Sequence, residues 1–492
     1  MNSAQKTSLI IIILYMIATV AIGLVSSAIK KKKSTSKSSN EDFLMAGKSL
    51  TPFVLAGTLF AANTGGASTT GIATNVFDYG LSASWYVIAA GIGFVLVSFV
   101  APFFRRSAAN TVPEIIGKRY GKPSHIFTAI TSILALFMAT GAQIIATASI
   151  INAVTGLDFS TAAIITTAVV IGYTMIGGFA SVTAANMMHI LFITVGMTIA
   201  LIIMLSNNAI GGLGGLFAKA DALSSTSTDL DLLSMTKVGL PTILGYIAMY
   251  CMTFPTGQEI VQTYASAKDG KSAKAGSMLA GLISAAYAIV PALIGLIAYV
   301  AIDGYAAGGK SASALADATL QFAPPLISGL VLSSIVAATI SSASGNMIGT
   351  ATMFANDIYT PYIKKGQRDD KKEVIISKVV MLAAGLFGLA VALTNSDIIG
   401  VMMSAFALRS AGPFAAFVCG LFWKDVTQKA GFVAIIVGTI VSALWIFAFN
   451  NPWGLSAIVP GAVVAFIVIF IATKIDLASG GKPAPAIEFT EE

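Results

Sequence analysis

Apolar stretches of about 20 residues, each long enough to cross a bilayer as a helix, recur along this chain from Leu9 to Ala472. That recurrence restricts the fold more than any motif does. With 56% hydrophobic and 10% charged residues over 492 positions, and a mean hydropathy of +0.84, the chain carries more apolar surface than a soluble core can bury. Its solvent is therefore lipid. The pattern predicts thirteen helical spans, at approximately 8–28, 52–78, 81–104, 126–154, 160–176, 182–206, 239–264, 275–302, 325–358, 376–394, 397–422, 429–449 and 455–474.

Charge orients this array. With the N-terminus outside, the odd-numbered connections face the cytoplasm and hold Lys30-Lys31-Lys32-Lys33, Arg105-Arg106, Lys118-Arg119, Lys364-Lys365 and Lys371-Lys372. About 24 of the 29 Lys and Arg fall on that side and about four outside, the asymmetry that fixes topology. The lysine runs read as topology anchors, not nucleic-acid patches, and the C-terminus is placed in the cytoplasm. The first span follows Lys6 as a signal peptide would, but it is about 20 residues long and ends on tetralysine without a small-residue cleavage site, so it should persist as a helix. Cys251 and Cys419 lie within spans and suggest no disulfide framework.

No soluble domain interrupts the pattern. Residues 1–474 form a single membrane domain, with a leading helix at 8–28, a core at about 52–422 and trailing helices at 429–474, followed by a tail at 475–492; the larger outside connections, about 207–236 and 303–324, read as loops. Two spans are interrupted: the second by Asn63-Thr64-Gly65-Gly66, followed by Ser68, Thr69 and Thr70, and the seventh by Thr253-Phe254-Pro255-Thr256-Gly257. They stand five places apart in the span order, with four spans between them, so they run in opposite directions, as an inverted repeat of five helices each requires. Matched Gly/Pro-interrupted spans in two halves point to a transporter's binding site. Unwound backbone at membrane depth is tolerated where protein covers it or a polar ligand binds it.

In the ninth span, Ala338, Ser341 and Ser342 sit at i, i+3 and i+4 and share one helix face. Two hydroxyls and a carbonyl from that face, with two carbonyls from the turn near Ala61 and Thr64, make a cage of about five oxygens of the kind that hard cations prefer. The same serines can instead pack helices or bond back to carbonyls four residues earlier. Arg409 sits mid-span, and an intramembrane charge is a functional candidate by default. It is placed either to bind an anionic solute group bidentately or to make a structural or gating contact with a carbonyl or an acid such as Asp78. Asn63, Gly65 and Gly66 in the break, Gln143 in the fourth span, and Trp85, Tyr250 and Phe254 are the other candidates to line a pocket. His125 and His189 are far apart and lack metal-ligand spacing, and Walker, HExxH and GxSxG motifs are absent, which argues against enzyme chemistry.

Taken in order, Ala46-Gly47-Lys48-Ser49-Leu50, the junction Tyr173-Thr174-Met175-Ile176-Gly177-Gly178-Phe179, the run Gly257 to Lys268 (GQEIVQTYASAK), the run Ser341 to Tyr359 (SSASGNMIGTATMFANDIY) and Gly420-Leu421-Phe422-Trp423-Lys424 make the chain resemble the sodium:solute symporters. The resemblance implies an all-α membrane protein with a LeuT-like five-plus-five inverted repeat. It also implies sodium-coupled import of a small organic solute across the cell membrane, by a protein that acts as a monomer. Amino acids, monocarboxylates, vitamins and sugars are the solute classes it covers. It assigns sodium to the carbonyls of Ala61, Thr64 and Ala338 and the hydroxyls of Ser341 and Ser342. Where relatives have Thr-Asp and then Gln, this chain has Ala185-Asn186 and His189. Gly345 follows Ser344 where two-sodium relatives have a serine, and Thr263 replaces an arginine. Asn186 and Gly345 remove a charge and a hydroxyl from a second sodium site, so one sodium per cycle is expected. The other readings of such a chain are a membrane-embedded sensor, which needs a signalling domain that this tail lacks, and an ion channel, which needs a pore-lining ring from several subunits.

Overall fold

Each apolar stretch read as a span is helical in the computed structural model, which describes residues 3–33, 50–106, 111–225, 231–305, 311–367 and 370–486, with side chains described throughout these except at 22–33, 176–188, 190, 370–371 and 453. In chain order the helices are α1 Ser3–Lys33, α2 Pro52–Asn63, α3 Ile72–Tyr79, α4 Trp85–Val97, α5 Ala101–Arg106, α6 Val112–Tyr120, α7 Lys122–Thr155, α8 Phe159–Leu191, α9 Met197–Leu205 and α10 Gly212–Ser224. They continue as α11 Leu240–Thr253, α12 Gln258–Ala265, α13 Gly270–Tyr287, α14 Ile289–Ala301, α15 Ala314–Phe322, α16 Pro325–Met353, α17 Asp370–Thr394, α18 Ile398–Phe422, α19 Gln428–Phe447 and α20 Ile458–Ala478. Among the described residues strand pairing is limited to two single-residue bridges, Leu50 with Ala267 and Thr427 with Pro483. Nine helical segments there are long and apolar enough to cross a membrane, and three shorter apolar helices accompany them.

The solvent-facing pattern is that of a protein in lipid. Ile10, Leu14 and Ile17 on α1 are about 60% exposed, and Val374, Ile375 and Val379 on α17 face outward likewise. Polar side chains turn inward instead: Ser8, Thr140, Gln143, Thr147, Thr339, Ser341 and Ser344 are buried. Most threonines and serines bond back to a carbonyl three or four residues earlier, as Thr140 does to Leu136 and Thr147 to Gln143.

Both predicted interruptions are present. Between α2 and α3 the chain unwinds at Thr64 (φ −95°, ψ 78°), passes Gly65-Gly66 and resumes as a π-helical turn, Ala67–Gly71. Between α11 and α12 it tightens into a 3₁₀ turn, Phe254–Thr256, and extends at Gly257 (φ −87°, ψ 120°). The helices that follow each broken span, α4 and α13, pack against one another. A Cβ on Gly91 would lie 2.6 Å from the Gly281 carbonyl oxygen, and one on Gly281 would lie 2.5 Å from that of Gly91. This reciprocal contact is what equivalent helices of two inverted halves make when they meet near their common axis.

Three features depart from the sequence reading. The spans predicted at 160–176 and 182–206 are joined without a loop, with helical backbone in α8 running through the Gly177-Gly178 junction and extended by a π turn at Phe192–Gly196. Thr174 bonds Ser344 (2.8 Å) while His189 shares a cavity with Ser342; a straight helix would set Thr174 and His189 about 22 Å apart, so the chain bends back at the junction. The segments read as loops at 207–236 and 303–324 contain α10 and α15, short helices that bury Leu216 and Ala220 in the first and Leu315, Ala318 and Phe322 in the second. Too few residues carry the period for it to stand out from sequence. Helix α6 lies between the third and fourth spans, capped by Thr111, whose Oγ1 accepts from the Glu114 amide (3.1 Å).

One end of the bundle is basic and tied together. Arg105 Nε donates to the Ala267 carbonyl (2.7 Å), and buried Arg119 donates to the carbonyls of Trp423 (3.0 Å) and Ala484 (2.6 Å).

The Gly91–Gly281 crossing leaves no room for a side chain. Gly281→Val should lower stability by at least about 1–3 kcal/mol through overpacking, read as a drop in the thermal unfolding midpoint in detergent. Gly172→Ala, where nothing lies within 4 Å of the added Cβ, should not lower the midpoint and should raise it slightly through helix propensity.

Candidate functional site

The site is built around the first break. Gly65 and Gly66 let α7 approach the unwound turn: a Cβ on Gly65 would meet the Gln143 amide at 2.8 Å, and one on Gly66 would meet Ala146 Cβ at 2.3 Å. That approach puts Gln143 Oε1 2.8 Å from the freed Gly66 amide, which donates to it. The freed carbonyls are met from the other direction. Ser68 Oγ donates to Asn63 O (2.6 Å) and Thr69 Oγ1 to Gly65 O (2.9 Å). The small polar cluster after the break thus supplies partners for backbone that lipid cannot hydrate.

Two cavities adjoin this turn. The smaller, of about 10 Å³, is lined by Phe60, Ala61, Thr64, His189, Ile193, Ala338 and Ser342. One water needs roughly 10–15 Å³ on that measure. Four of the five residues assigned to sodium by resemblance therefore face one space the size of a small ion. Ser341 is buried on α16 beside them but does not line it. Thr64 Oγ1 is buried without a hydrogen-bond partner.

The larger cavity, of about 50 Å³, takes Asn63 and Gly65 from the break, Gln143 from α7, Phe254 and Glu259 around the second break, Ser342 and Asn346 from α16, and Phe406 and Arg409 from α18. Ser342 borders both cavities. Of the predicted pocket residues, Asn63, Gly65, Gln143, Phe254 and Arg409 are brought together here. Gly66 stands just behind, bonded to Gln143. Tyr250 is fully buried one layer back, its ring 5.5 Å from that of Tyr86 and 5.1 Å from that of Phe254. Trp85 lies outside the lining, at the start of α4, where its indole N–H donates to Met235 O (2.7 Å).

Arg409 pairs with Glu259, not with Asp78. The guanidinium grips both carboxylate oxygens, Nη2 to Oε1 at 2.7 Å and Nη1 to Oε2 at 3.1 Å. Gly257 makes room for this, since a Cβ there would lie 2.8 Å from Arg409 Nη2. Glu259 was missed as a site residue although it is an acid beside a helix break inside a span, the signal that singled out Arg409. His189 was set aside for want of a second metal ligand; only the fold shows the oxygens around it.

Ser344 accepts a hydrogen bond from Thr174, and a Cβ on Gly345 would meet nothing within 4 Å. Asn186, on which the expectation of a missing second sodium site also rests, lies outside the described side chains, as do the Lys30–Lys33 run and the 46–49 motif.

The family model of sodium:solute symporters matches residues 43–438. The chain is 25% identical over 447 residues to the osmoregulated proline transporter OpuE of Bacillus subtilis (88% of this chain, 89% of the relative). It is 26% identical over 456 residues to the sodium/glucose cotransporter of Vibrio parahaemolyticus (86% and 82%). It shares its fold with a Na+-coupled sialic acid symporter solved in a substrate-bound outward-open state, at a TM-score of 0.76, 19% identity and coverage of 97% of this chain and 99% of that one. With the LeuT-type helical fold and the paired breaks, these matches make it a multi-pass cell-membrane protein that belongs to the sodium:solute symporter family.

Proposed function

We propose that the chain is a sodium-coupled symporter that imports a small neutral or zwitterionic organic solute by alternating access. The observation that carries this reading is Ser342, which borders both an ion-sized cavity lined by Ala61, Thr64 and Ala338 and a larger one lined by Asn63, Gln143 and Arg409. Sodium is assigned to the first, with Ser341 as its fifth oxygen, and the solute to the second. The sodium residues come from α2 and α16, so the ion favours the arrangement in which those helices lie close, to the extent of its differential affinity for the two states. The relatives named for proline and glucose support a small organic cargo.

Glu259 neutralises Arg409, so the solute cavity offers no net positive charge to an anion. This favours a structural or gating role for Arg409 over capture of an anionic group. The basic end is assigned to the cytoplasm by its charge; with the chain reversing at the Gly177-Gly178 junction within α8, this assignment corresponds to thirteen spans and an outside N-terminus. Helix α7 starts at that end, and the lining of the larger cavity descends along it from Gln143 to Leu136, about 10 Å toward the basic end. The cavity therefore reaches from the depth of the break toward the basic end.

Ser341→Ala/Ser342→Ala removes two of about five oxygens. Sodium-stimulated uptake in proteoliposomes should fall while membrane insertion is unchanged; wild-type sodium dependence in the double variant refutes the assignment. Reporters fused after Lys33 and after Lys482 should both read cytoplasm and one near Ser225 the exterior; an exterior signal after Lys482 would move the span count by one.

One sodium entering with an uncharged solute carries about 2.3 kcal/mol per 100 mV and about 1.4 kcal/mol per tenfold gradient. Together these support accumulation of roughly 500-fold. Parallel measurement of sodium flux, solute flux and current should give one sodium and one positive charge per solute. A ratio of two sodium ions contradicts the inference from Asn186 and Gly345, and electroneutral uptake contradicts the neutral pocket.

A further inference from the structure

His189 stands in the wall of the ion-sized cavity, 2% exposed, with Nε2 lacking any hydrogen-bond partner. Its other nitrogen is engaged: Nδ1 lies 3.1 Å from Tyr15 Oη on α1, and the two rings pack with centroids 5.8 Å apart. A buried polar nitrogen left without a partner costs free energy unless something in the cavity supplies one. Thr64 Oγ1, in the same wall, is orphaned in the same way. Both atoms present lone pairs, and so do the carbonyls of the unwound turn. A cation among them satisfies all of them at once.

Resting on the sodium reading above, we infer that His189 Nε2 is a nitrogen donor to the coupling cation and that Tyr15 is the positioning residue that holds the ring for it. For Nε2 to offer its lone pair, the imidazole proton must sit on Nδ1, and Tyr15 Oη is placed to accept the hydrogen bond from that N–H. Metal-binding histidines are generally fixed through their second nitrogen in this way. Among the described residues the remaining walls, Phe60, Ile193 and Ala338, bring no carboxylate. A neutral donor set without a counter-charge suits a monovalent ion and leaves the desolvation of a divalent one uncompensated. The leading helix, which stands outside the two halves of the repeat, thereby helps to set ion affinity.

The test uses the full chain in proteoliposomes, with sodium as the probe and two readouts: the sodium concentration for half-maximal uptake, and sodium-dependent thermal stabilisation without solute. His189→Ala should raise the half-saturating sodium concentration on the order of tenfold, and Tyr15→Phe by a smaller factor. His189→Gln, whose amide oxygen can replace the donor, should stay within about threefold of wild type, and solute KM at saturating sodium should not move in any of them. If His189→Ala leaves sodium half-saturation unchanged while Ser341→Ala/Ser342→Ala raises it, the inference fails and the ion site stands. If neither changes it, the ion site itself fails. A loss of sodium-free stability in His189→Ala with unaltered sodium dependence assigns the ring to packing and also overturns the proposal.

Discussion

The hydrogen bond from the Gly66 amide to Gln143 Oε1 is the contact on which the site depends. A helix broken at membrane depth exposes amides and carbonyls that no water reaches, and each unmet group costs several kcal/mol, of order ~2–7. Here α7 supplies one acceptor, Ser68 and Thr69 supply two donors, and two glycines let the helix come near enough. What the break leaves toward the two cavities is a short stretch of oriented backbone. The same turn therefore holds the helix together and presents polar atoms to ligands.

Coupling follows from how closely the two cavities are joined. Ser342 belongs to both, Thr64 and Asn63 are adjacent residues facing one each, and α16 spans both walls. On the proposed assignment, a small movement of α2 against α16 would change both cavities together, which is what coupled flux requires. The Arg409–Glu259 pair ties α18 to the short helix after the second break, so the second half of the repeat closes on the same space. Its neutrality bears on the cargo as well, since an anion entering there would have to displace Glu259.

Much of this was legible in the sequence because lipid makes its demands in one dimension. Span lengths, the basic asymmetry and the two helix breaks are local patterns, and the serine pair on α16 has helical spacing that a reader can count. The reach from Ala61 and Thr64 to Ala338 and Ser342 was legible only through family resemblance, since more than 270 residues separate them. What stayed hidden was pairing across the bundle. Nothing near Glu259 in the chain announces Arg409 150 positions later, and nothing near His189 announces Tyr15. At the α8 junction the sequence suggests a loop where the backbone stays helical, since Gly-Gly weakens a helix by only about 2 kcal/mol relative to alanine.

The central claim is that one chain binds sodium and an organic solute together and exchanges them across a membrane. Solute counterflow into preloaded proteoliposomes tests it most directly. Solutes are first selected by sodium-dependent thermal stabilisation from a panel of amino acids, sugars and monocarboxylates, then assayed in sodium and in choline with and without a sodium ionophore. The account predicts saturable exchange that requires sodium, and accumulation that collapses when the ionophore dissipates the sodium gradient. Flux that rises linearly with solute, or accumulation indifferent to sodium, would contradict it.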